Sequence, residues 1–355
     1  MAPLIIKCRE FPSEFNVKVC VTGQHKEMLY QVLEFFDIKP DVDLAGMTQN
    51  QSLFEITSSI LTKLEKILEH TEADYVIVQG DTTSTFVGAL AAFYKNIRVV
   101  HLESGLRSGN LSSPFPEEAN RSLVSRLAEV HFTPTAKASE NLKREGITKG
   151  IFEVGNTVID ALLMARDRVS KTRTTFENKF EGIDFSKKTI LITGHRRESF
   201  GEPFERICDS IKELSIEYPE CNFIYPVHLN PNVQSQVFTI LADLKNVFLT
   251  DPVDYPTLIW LLDNAYLVLT DSGGIQEEAP TLGKPVLVMR DVTERTEGVE
   301  AGTAQLVGTD KTRIVDSVRH LMDDNNAYLK MAQAVNPYGD GTACKQIIDV
   351  LKDLT

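Results

Sequence analysis

Residues 265–279 read AYLVLTDSGGIQEEA, an apolar run followed by an acid, a serine and two glycines. The apolar part is typical of a strand buried on both faces, and the glycines open a helix. Adjacent glycines let a backbone approach a ligand closely and direct N–H groups at an anion. The pattern therefore predicts a parallel sheet whose strand ends bind a negatively charged ligand.

Similar short runs recur along the chain, separated by segments with helical periodicity. Strands that alternate with helices indicate βαβ units, and two sets of them predict two doubly wound parallel sheets. A polar, strand-poor stretch at 169–188 separates the sets, so the expected domains are residues 1–170 and 171–340, with a closing helix at 341–355. The expected strands are 17–21, 75–79, 99–102, 130–133, 151–154, 189–193, 222–227, 246–249, 265–270 and 285–289.

The composition excludes several classes of protein. With 42% hydrophobic and 25% charged residues, the 355-residue chain is globular and long enough for two cores. A formal net charge of −13 disfavours nucleic-acid binding, so an anionic ligand needs cations gathered in one pocket. The apolar runs are too short to span a bilayer, and no signal peptide is recognisable. Five scattered cysteines indicate a reducing cytoplasm, with no disulfide framework and no structural zinc.

Acidic residues follow the predicted strands of the first half. Asp81 comes directly after the strand at 75–79 and Glu103 after the strand at 99–102, at the edge where open α/β sheets bind ligands. Asp81 could equally be the N-cap of the next helix. Glu117 and Glu118 open a further helix, where the helix dipole accounts for one acid of the pair. The dipole does not explain Phe115 between two prolines, which indicates a positioned loop.

Basic residues follow the predicted strands of the second half. His195, Arg196 and Arg197 come after the strand at 189–193 and indicate an oxyanion or diphosphate site. The alternative is that the arginines are ordinary surface charges. His228 also follows a strand, where a structural histidine is more common than a functional one.

An acidic and a basic residue follow the Ser-Gly-Gly turn at 272–274 in the sequence. Glu278 lies about one helical turn beyond it, where a carboxylate can accept both hydroxyls of a ribose, and Arg295 follows later. The chain has no GxGxxG after a strand, no P-loop, no HExxH and no GxSxG. Dinucleotide redox chemistry, ATP hydrolysis and serine hydrolysis therefore lack support, and a nucleotide diphosphate remains as the expected ligand.

These residues belong to longer motifs that resemble one family, the bacterial non-hydrolysing UDP-N-acetylglucosamine 2-epimerases. The resemblance covers nearly the whole chain. The motifs that carry it lie, in order, at 24–29, 80–83, 101–107, 116–121, 155–160, 193–200, 225–232, 271–279, 283–287, 290 and 336–341.

The resemblance implies a GT-B-like architecture, in which two Rossmann-like domains face a cleft and the C-terminal helix packs back on the first domain. It implies a cytoplasmic homodimer, without nucleic-acid or membrane partners, that converts UDP-GlcNAc reversibly to UDP-ManNAc for surface polysaccharides. The implied route is anti elimination of UDP to a 2-acetamidoglucal, followed by re-addition. No cofactor is expected because nothing is oxidised overall, and no metal site is expected either.

The resemblance also implies roles for individual residues. The catalytic residues are then Asp81, Glu103, Glu117 and His195. The substrate-binding residues are Asp81, Glu103, His195, Ser272, Gly273, Gly274, Glu278 and Arg295. Residues of a second, activating site are matched by Gln24, His25 and His228. Which carboxylate acts as base and which as acid stays open.

The first residues depart from the family pattern. Family members start with a strand and a Gly-Thr-Arg-Pro-Glu-Ala-Ile-Lys loop, whereas this chain opens at Met1 with a segment that is helical in pattern as far as Arg9. Loss of a central strand exposes apolar surface at a cost on the order of several kcal/mol, and the loop's cations are lost with it. We therefore expect weak activity. The alternatives are a GT-B glycosyltransferase using a UDP-sugar, a UDP-sugar binder with little activity, and a hydrolysing epimerase.

Overall fold

The computed structural model describes residues 1–23, 26–44, 51–196 and 199–354, and of residues 26–28 only the backbone. The chain divides into two compact units, which we call the first unit (residues 1–161 and 338–355) and the second unit (residues 162–337). The strands are β1 Cys20–Val21, β2 Val42–Asp43, β3 Tyr75–Gln79, β4 Arg98–Leu102, β5 Val130–Thr133, β6 Ile151–Glu153, β7 Thr189–Thr193, β8 Asn222–Pro226, β9 Val247–Thr250, β10 Leu267–Thr270, β11 Val286–Val288 and β12 Ala304–Leu306.

Helices separate nearly all of these strands along the chain. They are α1 Ala2–Arg9, α2 Lys26–Phe35, α3 Leu53–Leu68, α4 Thr83–Tyr94, α5 Glu117–Leu127, α6 Ala136–Arg144, α7 Thr157–Ser170, α8 Arg173–Glu177, α9 Glu202–Glu217, α10 Pro231–Leu241, α11 Tyr255–Asn264, α12 Gly273–Thr281, α13 Thr296–Glu300, α14 Lys311–Asp323, α15 Asn325–Ala332 and α16 Ala343–Leu354. Among the described residues, none of these helices combines the length and the apolar character needed to cross a membrane.

The second unit is built on a parallel sheet with the strand order β12-β11-β10-β7-β8-β9. The chain starts at β7 in the middle, moves outward to β9, returns to β10 on the other side of β7 and moves outward again. This is the order of doubly wound nucleotide-binding sheets, with a switch point between β7 and β10. Successive loops leave toward opposite faces there, so a crevice opens at the carboxyl ends of these two strands.

The first unit contains a parallel sheet with the order β3-β4-β5-β6 and a separate parallel pair, β1 and β2. Helices α1 and α16 pack against each other. Leu4 of α1 and Ile347 of α16 belong to one hydrophobic core together with Phe132 of β5. The Tyr75 hydroxyl donates a hydrogen bond to the carbonyl of Leu354 at 3.1 Å. The last helix of the chain therefore completes the core of the first unit.

The division between the units falls inside helix α7, at residues 161 and 162, rather than at 170. Helix α7 is continuous across this point, so no change in sequence character marks it. The polar stretch at 169–188 contains α8 and contributes Phe176 and Phe180, whose rings stack on Trp260 of α11 at centroid distances of 6.2 and 5.5 Å. That stretch is consequently part of the second unit and not a free linker.

The expected strands are confirmed in position, although the one at 17–21 is reduced to Cys20–Val21. The helix expected over residues 1–9 is confirmed as α1. Strands β2 and β12 were not predicted, because two and three residues are too few to establish a hydrophobic pattern. All five cysteines are free.

The turn after β4 holds two residues in the left-handed region, Glu103 at φ 58° and Gly105 at φ 87°. For a residue with a side chain this conformation costs about 1 kcal/mol. Ser104 between them is fully buried, and its N–H donates to the carbonyl of Phe132 at 3.0 Å. A Cβ at Gly105 would lie 2.2 Å from the carbonyl oxygen of Ala138, so only glycine fits. The surrounding packing thus holds Glu103 in a conformation that it would not adopt by itself.

We expect Gly105→Ala to lower the free energy of unfolding by about 3 kcal/mol, because both strain and a backbone clash oppose the new methyl group. Gly109→Ala is the matched control: φ is 78° there, but open space surrounds the position, so about 1 kcal/mol is expected. Urea unfolding followed by circular dichroism measures both. Equal losses in the two variants would contradict the packing argument.

Candidate active site

The Asp81 carboxylate is held by helix α5. Thr82, and not Asp81, is the N-cap of α4, since its hydroxyl accepts the N–H of Thr85 at 3.3 Å. The alternative that Asp81 is a capping residue is therefore wrong. Its carboxylate forms an ion pair with Arg121, and its carbonyl accepts the Asn120 amide at 2.9 Å. Two residues of one helix fix Asp81 at its side chain and at its backbone.

The adjacent acids Glu117 and Glu118 have different surroundings. Glu118 is 2% exposed and accepts the backbone N–H groups of Ser108 and Gly109, both at 3.0 Å. It also pairs with Arg121 at 3.2 Å. Glu117 is half-buried and, within the described residues, its carboxylate has no hydrogen bond or ion pair. Glu118 is thus the structural acid, which leaves Glu117 available for chemistry.

A neutral histidine connects the ends of β3 and β4. His101 is fully buried, and burial lowers its pKa to about 4. Its Nε2 lies 2.8 Å from the carbonyl oxygen of Gly80, so a neutral ring donates its proton there. The Gln79 amide reaches Glu103 at 3.4 Å. These contacts set the spacing between the strand ends that carry Asp81 and Glu103.

In the second unit, the loops after β7 and β10 meet at the switch point. Thr193 and Thr270 are register partners, and their hydroxyls lie 2.6 Å apart. The Asp271 carboxylate is 2% exposed and accepts the backbone N–H groups of His195 at 2.6 Å and Arg196 at 2.7 Å. One buried acid therefore fastens the His195 loop to the end of β10.

His195 has a second histidine beside it. The rings of His195 and His228 stack with centroids 5.1 Å apart and planes 9° apart. Nδ1 of His228 accepts the backbone N–H of Asn230 at 3.1 Å. Burial and the neighbouring His195 lower the pKa of His228.

The Ser-Gly-Gly turn begins helix α12 and is covered by a guanidinium group. Ser272 is the N-cap, and its side chain makes no capping hydrogen bond. A Cβ at Gly273 would lie 3.2 Å from Cζ of Arg295, so the missing side chain makes room for the arginine. Arg295 Nε donates to Glu277 at 2.8 Å. Backbone N–H groups and a cation thus meet at one helix end, which is an arrangement that binds anions.

Glu278 points from the same helix and is 7% exposed. Burial, followed by the charge of Glu277, raises its pKa to about 8. The carboxyl group is therefore poised to exchange hydrogen bonds with a neutral polar ligand, such as the hydroxyls of a sugar.

The structure places the predicted residues in two groups, one in each unit. Asp81, Glu103 and Glu117 lie at the ends of β3 and β4 and the start of α5, while His195, Ser272, Gly273, Gly274, Glu278 and Arg295 lie around the ends of β7 and β10. Gln24, His25 and Arg197 fall outside the described residues.

Sequence reasoning gave no role to Arg121, Glu118 or Asp271. The spacing of Glu118 and Arg121, three residues apart on a helix, was a signal for their ion pair. No local signal pointed to the contact of Asp271 with His195, since 76 residues separate them.

Comparison with known proteins identifies the family. The family model described as UDP-N-acetylglucosamine 2-epimerase matches residues 7–352. The chain belongs to this family.

Relatives of the epimerase family match over almost their whole length. UDP-N-acetylglucosamine 2-epimerase of Escherichia coli (strain K12) is 54% identical, covering 99% of this chain and 95% of the relative. The crystal structure of UDP-GlcNAc 2-epimerase from Neisseria meningitidis bound to UDP-GlcNAc is 47% identical, with a TM-score of 0.90 over 99% of this chain and 96% of that one. The Methanocaldococcus jannaschii enzyme in complex with UDP-GlcNAc and UDP is 32% identical, with a TM-score of 0.79 over 99% and 95%. These likenesses confirm the expected α/β, GT-B-like fold.

The raised pKa of Glu278 predicts a pH-dependent stability. The folded state holds a proton up to about pH 8, whereas a glutamate at its ordinary pKa of 4.5 releases it earlier, so the free energy of unfolding falls as pH rises between these values. Glu278→Gln cannot ionise and lacks this loss. Relative to the wild type, we expect the free energy of unfolding of this variant to rise by about 3–4 kcal/mol between about pH 5 and pH 8.

Urea unfolding at several pH values measures this difference. Glu300→Gln is the control, because it makes the same exchange at an exposed position of the second unit. A constant difference between Glu278→Gln and the wild type across this pH range would show that burial of Glu278 does not hold the proton.

Proposed function

We propose that this chain catalyses the reversible C2 epimerisation of UDP-GlcNAc to UDP-ManNAc. The observation that carries the proposal is the full-length likeness to the Neisseria meningitidis epimerase bound to UDP-GlcNAc. The reaction supplies an N-acetylmannosamine donor for surface polysaccharides, and the five free thiols fit a reducing cytoplasm.

The reaction proceeds in two steps that balance without an external reagent. A base removes the proton from C2, the C1–O bond to UDP breaks and a double bond forms between C1 and C2, giving a 2-acetamidoglucal and UDP. UDP then adds back at C1 while an acid delivers a proton to the opposite face of C2. Proton removal and return from opposite faces require acid–base groups in two positions.

Carboxylates of the first unit supply these proton transfers. Asp81 is orientated by Arg121 and Asn120, and Glu103 is held by a strained turn, so both present their carboxylates in defined positions. Glu117 has no partner among the described residues and can follow the sugar as it changes geometry. Fixed and movable carboxylates together suit a reaction in which C2 becomes planar and then pyramidal again.

Groups of the second unit bind the UDP. The hydroxyl of Ser272, the N–H groups of Gly273 and Gly274 and the guanidinium of Arg295 bind the diphosphate, and Glu278 accepts the ribose hydroxyls. The departing UDP gains negative charge as the C1–O bond breaks, and His195 stabilises that charge. His228, together with Gln24 and His25, contributes to a second, activating site.

Proton NMR of UDP-GlcNAc with the protein in D2O tests the proposal. We expect deuterium at C2 together with the appearance of UDP-ManNAc. Glu117→Gln should slow the exchange by about 100-fold or more, because it removes a proton-transfer group. The exposed Glu140→Gln is the matched control and should exchange at the wild-type rate. Free N-acetylmannosamine as product, or binding without exchange, would replace the proposal by a hydrolysing epimerase or a UDP-sugar binder.

We further propose that the protein is a homodimer that associates through the first unit. Helix α4 packs between α3 and α5 and ends with Phe93 and Tyr94, which are 54% and 65% exposed. On α5, Leu123 is 48% exposed, and at the start of α3, Phe54 is 88% exposed. Large apolar side chains gathered on neighbouring helices are typical of a surface that a second subunit covers.

Sedimentation equilibrium should give twice the chain mass of 39.7 kDa. Tyr94→Asp should shift the equilibrium toward the monomer, because a charge at the interface core opposes burial. Phe238→Asp, at a 47% exposed position of the second unit, should not. A wild-type monomer at micromolar concentration would refute the dimer.

A further inference from the structure

The second oxygen of the buried Asp271 carboxylate lacks a hydrogen bond. Oδ2 accepts the backbone N–H groups of His195 and Arg196, but Oδ1 has no hydrogen-bond partner among the described residues. The side chain is only 3% exposed, so water does not replace the missing donor readily. An unsatisfied buried acceptor costs about 1–3 kcal/mol, more when it is charged.

The imidazole of His195 lies close to this oxygen. Its Nδ1 lies 3.6 Å from Oδ1 of Asp271, just beyond hydrogen-bond length. The backbone N–H of His195 is fixed to the same carboxylate, whereas its side chain is 45% exposed. A modest movement of the imidazole toward Oδ1 would complete a hydrogen bond, which forms at about 2.7–3.2 Å between nitrogen and oxygen.

His228 restricts the ring on its other side. The two imidazoles stack with planes 9° apart, so a rotation of the His195 ring out of this plane would lose the stacking contact. Since Nδ1 of His228 accepts the N–H of Asn230, a neutral His228 carries its proton on Nε2. Burial and the proximity of His195 favour this neutral form. The charged and titratable groups facing His195 in the described structure are thus Asp271 after β10 and His228 after β8.

We propose that Asp271 is a positioning residue that fixes His195 as the tautomer with the proton on Nδ1, with His228 holding the ring plane. In this neutral tautomer Nε2 of His195 carries the lone pair, so it takes up a proton before it can donate to a ligand oxygen. When Nε2 is also protonated, the Asp271 carboxylate stabilises the imidazolium, as a buried acid does in a catalytic triad. We call Asp271 and His195 the dyad. The pairing of these two residues does not require a ligand, but a role for it in the departure of UDP rests on the proposed function.

In that use, the Nε2–H of the imidazolium hydrogen-bonds the departing phosphate oxygen while the C1–O bond breaks. The proton remains between these atoms and returns with UDP in the second step, so the dyad is unchanged after one turnover. Oxyanion stabilisers of this kind contribute about 100- to 1,000-fold to the rate.

Asp271→Asn separates this role from support of the loop. The amide oxygen of the asparagine still accepts the two backbone N–H groups, while its NH2 group replaces Oδ1 opposite His195. A donor at that position requires an unprotonated Nδ1 and therefore the other tautomer. In a serine protease the same exchange lowers kcat by about 10,000-fold through the wrong tautomer.

Nitrogen-15 NMR of histidine-labelled protein reads the tautomer directly. We expect protonated Nδ1 at His195 in the neutral ring of the wild type and protonated Nε2 in Asp271→Asn, with the resonances assigned by His195→Gln. The kcat of C2 exchange should fall at least about 100-fold in Asp271→Asn, with KM changed much less. Asp310→Asn, at the N-cap of α14, is the matched control and should alter neither tautomer nor kcat.

A wild-type His195 with its proton on Nε2 overturns the dyad, even if Asp271→Asn does not fold. An unchanged tautomer in a folded Asp271→Asn overturns it as well. The predicted tautomers in a protein that never exchanges C2 would uphold the dyad and refute the proposed function. The predicted tautomers with unchanged kcat in Asp271→Asn would refute the positioning role.

Discussion

Parallel strand pairing determines where chemistry can be placed in this chain. Every strand of a parallel sheet ends at the same edge, so the residue after each strand arrives there whatever its type. Asp81 and Glu103 follow the neighbouring strands β3 and β4, and His195 and Asp271 follow the neighbouring strands β7 and β10. The strand order thus makes these groups neighbours before any side-chain contact forms.

Backbone N–H groups then decide which acids are structural. Glu118 and Asp271 each accept two backbone N–H groups from a loop that carries no regular structure of its own. A buried carboxylate is stable only when such donors satisfy it, and the same hydrogen bonds fix the backbone conformation of the loops. The neighbouring Glu117 accepts no such hydrogen bonds among the described residues. Its role therefore differs from that of Glu118, although the two are adjacent in sequence.

Much of the fold could be predicted from hydrophobic pattern alone. The strands at 189–193 and 265–270 are continuously apolar in their centres because both faces are covered, and this made them easy to recognise. Strands β2 and β12 were missed because they are short and exist through pairing with a neighbour. The boundary inside α7 was missed because a continuous helix passes from one unit to the other.

The sequence by itself determined the alternation of strands and helices, the acids and basic groups at the strand ends, and the glycines of the 272–274 turn. These depend on the period of the side chains and on local backbone freedom, which act within a few residues. Only the tertiary structure decided that Arg121 holds Asp81, that Glu118 is structural, and that Asp271 lies opposite His195. Such contacts join residues up to 76 positions apart, and they depend on which strands are neighbours in the sheets.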